Sequence, residues 1–164
     1  MSRFVLGLVG FMGTGLGLLT GANVAAPQKI ASSSSVQYLE GSAAQKDRAF
    51  SPSVITKGGR IVWLAGQTTT VDLNGKSLVG DFQGQARTDF ALIDRTLKRS
   101  GGSLQNLVTM TVFINDPRNG DPFVKLRREM FPDGKFPASA LITVSNFAQP
   151  GILIEIQGVA VIGE

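Results

Sequence analysis

Apolar residues fall into runs of three different kinds along the chain. Residues 4–28 carry no charge and are mostly Val, Leu, Phe, Ala and Gly. A Ser/Ala-rich stretch follows, "APQKIASSSSVQYLEGSAAQKDR", with no sustained period. Beyond it the patterns are those of a packed domain. Val54-Ile55 and "RIVWLAG" flank Lys57-Gly58-Gly59, which predicts a hairpin. "QTTTVDLNGKSLVG" holds Asn74-Gly75, a strong short-range hairpin signal. Ala86, Phe90, Ile93 and Leu97 then recur at helical spacing. Asp81 is placed to cap that helix, and Gly101 or Gly102 to end it. "LVTMTVFIND" is rich in β-branched residues and reads as a strand. Asp121-Pro122 reads as N-cap and first residue of a second helix, with Phe123, Leu126 and Met130 on its buried side. "PASALITV" and "ILIEIQGVAVI" are the last two strands.

The order is β-β-β-α-β-α-β-β, with the last two strands read as a pair. It predicts an α+β domain with two helices on one face of a sheet. Two helices cannot cover both faces, so the other face is expected to pack against further subunits.

The uncharged run after Arg3 ends in small residues around Val24-Ala25-Ala26, the layout of a secretory signal. It is also just long enough for an uncleaved membrane anchor. The chain is therefore divided into 1–26 as signal or anchor, 27–48 as linker and 49–164 as the folded domain. Export, to a periplasm in particular, is expected, with membrane anchoring as the alternative.

Composition narrows the chemistry. Cysteine and histidine are both absent. That excludes disulfides, thiolate nucleophiles and any Ser-His or Cys-His pair. Acid–base work falls to carboxylates, lysines, hydroxyls or Tyr38. Asp72 and Asp116 lack a second ligand at useful spacing, so no metal is expected. The net charge of +4, from 16 basic and 12 acidic residues, is mild and scattered. With one Trp and one Tyr there is no basic, aromatic-laced footprint for nucleic acid.

Within that frame the last strand is unusual. Alternation puts Leu153, Glu155, Gln157 and Val159 on one face and Ile154, Ile156, Gly158 and Ala160 on the other. Glu155 thus has apolar neighbours on its own face, and desolvation there would raise its pKa toward that of a usable acid or base. The alternative is a structural carboxylate bonded to backbone N–H groups or to an arginine across an interface.

"GGRIVWLAGQ", "QARTDFALIDRTLKRSGGSLQNLVTMTVFIND", "FPASALITV" and "LIEIQGVAV", in this order and spacing, resemble the YjgF/Rid family of reactive-intermediate deaminases. The resemblance runs from about Phe50 to Ile162. It implies a chorismate mutase-like mixed-sheet domain that assembles as a homotrimer, with pockets at the subunit interfaces. It also implies hydrolysis of enamines and imines such as 2-aminoacrylate to keto acids and ammonia, without metal or cofactor. The older ribonuclease reading of that family draws no support from these residues.

Carried over residue by residue, the family's water-positioning glutamate matches Glu155, and the glycine of its Gly-Gln turn matches Gly66. The substrate-binding arginine that follows Pro-Ala is replaced by Ser139. Leu141 stands where a cysteine is frequent, Ala65 where a serine precedes Gly-Gln, and Ser53 near the position of a tyrosine. This implies a divergent member without the carboxylate clamp, since a hydroxyl cannot grip a carboxylate as a guanidinium does. Either the pocket takes a different small molecule, or Ser139 fills space in a repurposed site and the trimer only binds or only builds structure. Arg127 and Arg128 are read as a solvated helix face, with supply of the missing cation as the alternative.

Overall fold

A computed structural model describes residues 35–163. The expected signal or anchor over 1–26, and the linker up to residue 34, lie outside these residues. Among the described residues no helix is long and apolar enough to cross a membrane.

Part of the expected linker is ordered structure. Ser35–Tyr38 forms β1 and Ala43–Asp47 the short helix α1. Ser42 and Gln45 close a capping box at the start of α1, which offsets its lack of an apolar stripe. β2 (Val54–Lys57) pairs antiparallel with β1. β3 (Arg60–Gln67) pairs instead with β6 (Ile154–Ile162), so the hairpin expected across Gly58-Gly59 does not form. Both glycines have positive φ, 68° and 76°, which turns the chain from one sheet into the other. A Cβ on Gly59 would lie 2.8 Å from Val161 Cγ1, so the turn is held closely against the end of β6.

The main sheet has four strands in the order β3-β6-β4-β5. Here β4 is Leu107–Ile114 and β5 is Ala138–Thr143. β4 runs antiparallel to β6 and parallel to β5. The last two strands are therefore not a pair, because β4 lies between them. The Asn74-Gly75 signal makes a tight turn whose only ladder element is a Val71–Ser77 bridge. The Asp72 carboxylate accepts from the N–H groups of Asn74 and Lys76, which ties the segment up locally, and the expected third strand reduces to that bridge.

The two long helices form as the pattern predicts. In α2 (Phe82–Arg99) the Asp81 side chain accepts from Gly84 N–H at 2.9 Å, and Gly101 follows with φ 78°. α3 spans Gly120–Met130 and is entered through a turn at Pro117–Asn119. Asp121 therefore lies inside its first turn rather than at its N-cap, where it still complements the helix dipole. One core cluster joins both helices to the sheet through Phe90, Phe123, Met110, Ile154 and Ile156. Phe90 stacks on Phe123 and meets Phe131 edge-on. The opposite face of the sheet is open: Trp63 is 79% and Ile61 58% exposed.

Candidate functional site

Glu155 is held on the open face of β6. Its neighbours Ile154 and Ile156 are fully buried toward the helices, while Glu155 is half-buried and Gln157 exposed. In register, Glu155 faces Phe113 of β4, which in turn faces Ile142 of β5. On the other side the β3–β6 ladder is interrupted by a bulge between Leu64 and Gln67. The bulge turns Gly66 toward the carboxylate. A Cβ on residue 66 would fall within the Glu155 head, 2.8 Å from its Cδ. Gly66 is thus the notch in which Glu155 sits, and the sequence-predicted pair is brought together. Ala65 lies in the same bulge and is exposed, and its carbonyl accepts from Gln67.

Ser139 and Leu141 lie on the other side of the sheet. Ser139 is in register with Met110 and Leu141 with Val112, both core residues. The chain thus separates these two side chains from Glu155 by the thickness of the sheet, which strand alternation enforces. Ser53 stands one residue before β2, at the edge of the two-stranded sheet. Its carbonyl accepts from Leu39 N–H.

Arg127 is not on a solvated face. It is 2% exposed, because it follows Phe123 by four residues and precedes Met130 by three, positions that share one side of a helix. Its Nη1 donates to Ser139 Oγ at 2.5 Å and its Nη2 to the Arg48 carbonyl at 2.6 Å. The guanidinium also lies 5.3 Å from the Phe123 ring centroid, a cation–π contact. Its Nε has no partner and no carboxylate is bonded to it. Burial, with the nearby Arg48 charge, brings its pKa down to about 10. Arg128 is exposed and donates to the carbonyls of Lys46 and Asp47 at the end of α1.

One further carboxyl group belongs to this region and escaped the pattern reading. Asp89 of α2 is fully buried, and neither of its oxygens has a hydrogen-bond partner. Burial, and then the charge of Glu155, push its pKa up to about 9. The signal was present in the sequence: Asp89 sits three residues after Ala86 and four before Ile93, on the apolar stripe.

A separate cavity of about 550 Å³ opens beside β1 and α1, with Tyr38, Lys46, Phe50, Arg128 and Phe136 in its lining. Glu155, Gly66, Ala65, Ser139, Leu141 and Ser53 do not line it, whereas Tyr38 and Arg128, each an alternative in the sequence, do. Among the described residues no group of three or more His, Cys, Asp or Glu could hold a metal ion.

Comparison with known proteins agrees with this architecture. A family model described as Endoribonuclease L-PSP matches residues 41–162. The 3-aminoacrylate deaminase RutC of Acinetobacter baylyi is 30% identical over 105 residues, which cover 64% of this chain and 82% of that protein. A RutC family protein of Pyrococcus horikoshii is 29% identical over 104 residues, 63% of this chain and 81% of its own. Among solved structures, a Rid-family protein of Yersinia pestis superposes with a TM-score of 0.67 at 24% identity, covering 79% of this chain and 99% of that one. A yjgF-family protein of Streptococcus pyogenes does so with 0.55 at 24% identity, covering 79% and 98%. These two structures have the same fold as the chain.

Proposed function

The chain belongs to the YjgF/Rid family, whose model spans residues 41–162, and from that premise we propose that it is a hydrolytic deaminase of imine- or enamine-type small molecules. The observation that carries the reading is the Glu155 carboxylate seated in the Gly66 notch on the open face. A carboxylate held there can position a water and accept its proton as the water attacks a C=N carbon. The backbone of the Ala65-Gly66 bulge offers fixed dipoles beside it, and such dipoles are effective against developing charge in a dry site. Drying the site requires a cover for the open face. In this reading a homotrimer supplies it, with the pockets at the subunit interfaces. The reading needs no metal and no cofactor. By its name, the Acinetobacter baylyi relative deaminates an aminoacrylate, which supports chemistry of this type on a related chain.

The substrate in this reading is not 2-aminoacrylate. Its carboxylate would need a clamp, and the hydroxyl at position 139 is engaged by Arg127 on the face away from Glu155. That observation also favours a second reading, in which the trimer binds a small metabolite, or serves as structure, without turnover. Ammonia release from a panel of imines, including some without an α-carboxylate, separates the two. Under the first reading Glu155→Gln keeps the fold and lowers turnover roughly 10²–10⁴-fold, because the amide cannot accept a proton. Unchanged turnover in the folded variant overturns it. Export is part of the same proposal, with a mature chain beginning near Ala26. N-terminal sequencing of native material tests it, and an intact Met1 on membrane-associated protein would instead favour the anchor.

A further inference from the structure

The cavity beside β1 and α1 combines two kinds of side chain. Its volume of about 550 Å³ is that of a small-molecule pocket. Tyr38, Phe50 and Phe136 bring aromatic rings to it, and all three are half-buried. The Tyr38 hydroxyl donates to the Leu107 carbonyl at 3.4 Å, so its ring is what the residue offers a ligand. Lys46, Arg128 and Lys135 bring positive charge. Among the described residues that line the cavity, Glu40 alone is acidic, and Lys46 already donates to it. No ion pair among the described residues includes Arg128 or Lys135. The cavity therefore keeps two positive charges with no carboxylate to balance them.

Local structure holds these groups in place. Arg128 donates through Nη2 to the carbonyls of Lys46 and Asp47 at the end of α1, where a cation suits the helix dipole. Both bonds use one nitrogen, so the Nη1 and Nε donors remain for a ligand. Just after α1, Ala49 has φ 53° and is the one non-glycine residue with positive φ among the described residues. A Cβ disfavours that conformation, and such strain persists where its surroundings enforce it, often beside ligands. Here Ala49 is fully buried. Phe50 N–H then donates to the Gln45 carbonyl and Ser51 N–H to the Pro137 carbonyl, and Ser51 bridges Ala138 at the start of β5. The turn thereby brings Phe50, which follows α1, and Phe136, which precedes β5, to one cavity.

We propose that this cavity is a binding site for a small aromatic carboxylate, separate from the Glu155 notch. The ligand's ring packs among Tyr38, Phe50 and Phe136, and its carboxylate meets the free donors of Arg128, with the Lys135 charge adding to the attraction. Aromatic walls alone would take any flat apolar molecule. The two unbalanced cations select an anion, and the planar donors of a guanidinium match the geometry of a carboxylate. An inorganic anion would leave the rings unused. The proposal does not rest on the deaminase reading, because Glu155, Gly66 and Ala65 do not line the cavity.

Calorimetric titration of the full chain with indole-3-acetate tests it, with indole-3-acetamide as the uncharged probe of similar shape. The carboxylate is expected to bind saturably and about tenfold or more tighter than the amide. Its affinity should fall as added salt screens the rim charges. Arg128→Gln and Lys135→Gln should each weaken the carboxylate several-fold and leave the amide unchanged, whereas Phe50→Ala should weaken both. Arg128→Gln also removes the bonds to α1. If that variant does not fold, Lys135→Gln decides the charge requirement alone. Absence of saturable binding at millimolar ligand, equal affinity for carboxylate and amide, or a carboxylate affinity that neither charge variant changes overturns the proposal.

Discussion

Arg127 of α3 donates to Ser139 of β5 at 2.5 Å, on the side of the sheet turned away from Glu155. A positive charge is therefore present beside residue 139, but it comes from the helix, and the core encloses it. Its bonds run to a hydroxyl and a carbonyl rather than to a carboxylate, so this is a buried cation stabilised by dipoles and by the Phe123 ring.

Placing an arginine at residue 139 should consequently fail in this chain. Ser139→Arg sets a second guanidinium against Arg127 in a region with no anion to pair either. It is expected to destabilise the fold by roughly 3 kcal/mol. The double variant Ser139→Arg/Arg127→Leu removes the repulsion and should recover most of that loss. Urea denaturation of the three proteins checks this, and a stable single variant contradicts it.

Gly66 is expected to tolerate no side chain. The alanine Cβ would occupy the space of the Glu155 head. Either the carboxylate moves or the bulge does. Gly66→Ala should cost about 1–3 kcal/mol of stability, as overpacking does, and should reduce any Glu155-dependent turnover. Wild-type stability together with wild-type rate would show that the notch is not needed.

The buried carboxyl of Asp89 makes a signed prediction for stability against pH. Its ordinary value of 3.8 is raised to about 9 in the fold. Between those values the unfolded chain has released the proton and the folded chain retains it. Raising the pH therefore favours unfolding. The contribution is fully present below the unfolded value and is lost as pH climbs through the folded one. The slope is at most about 1.4 kcal/mol per pH unit for one proton. Asp89→Leu should be the more stable protein at neutral pH and should lack this slope. Denaturation midpoints measured across that range decide it, and identical pH profiles for the two proteins refute the assignment.

Trp63, the only tryptophan, is 79% exposed beside Ile61 on the open face. If a trimer covers that face, Trp63 emission should be blue-shifted in the assembled protein, and Trp63→Glu should yield monomers by light scattering. A monomeric wild type at micromolar concentration would leave the open face uncovered and Glu155 without a pocket.

The sequence by itself determined what depends on near neighbours. Ala86, Phe90, Ile93 and Leu97 are buried as their spacing requires, Asp81 caps α2, and β6 alternates as its residues do. Its likeness to the YjgF/Rid family also located Glu155 and Gly66, which the structure brings into contact. Only the tertiary structure decided which strands pair: β2 joins β1, and β4 lies between β5 and β6. Pairing depends on contacts far apart in sequence, which local periodicity does not encode. It also settled which face each side chain takes relative to the others. Ser139 and Glu155 each obey strand alternation, yet their relation is set by register through β4, and that register turns them to opposite sides. Asp89 and Arg127 show the same limit from the helices. A polar residue on an apolar stripe is visible in the sequence, but whether it is solvated, bonded or left with a proton depends on the strand that packs against it.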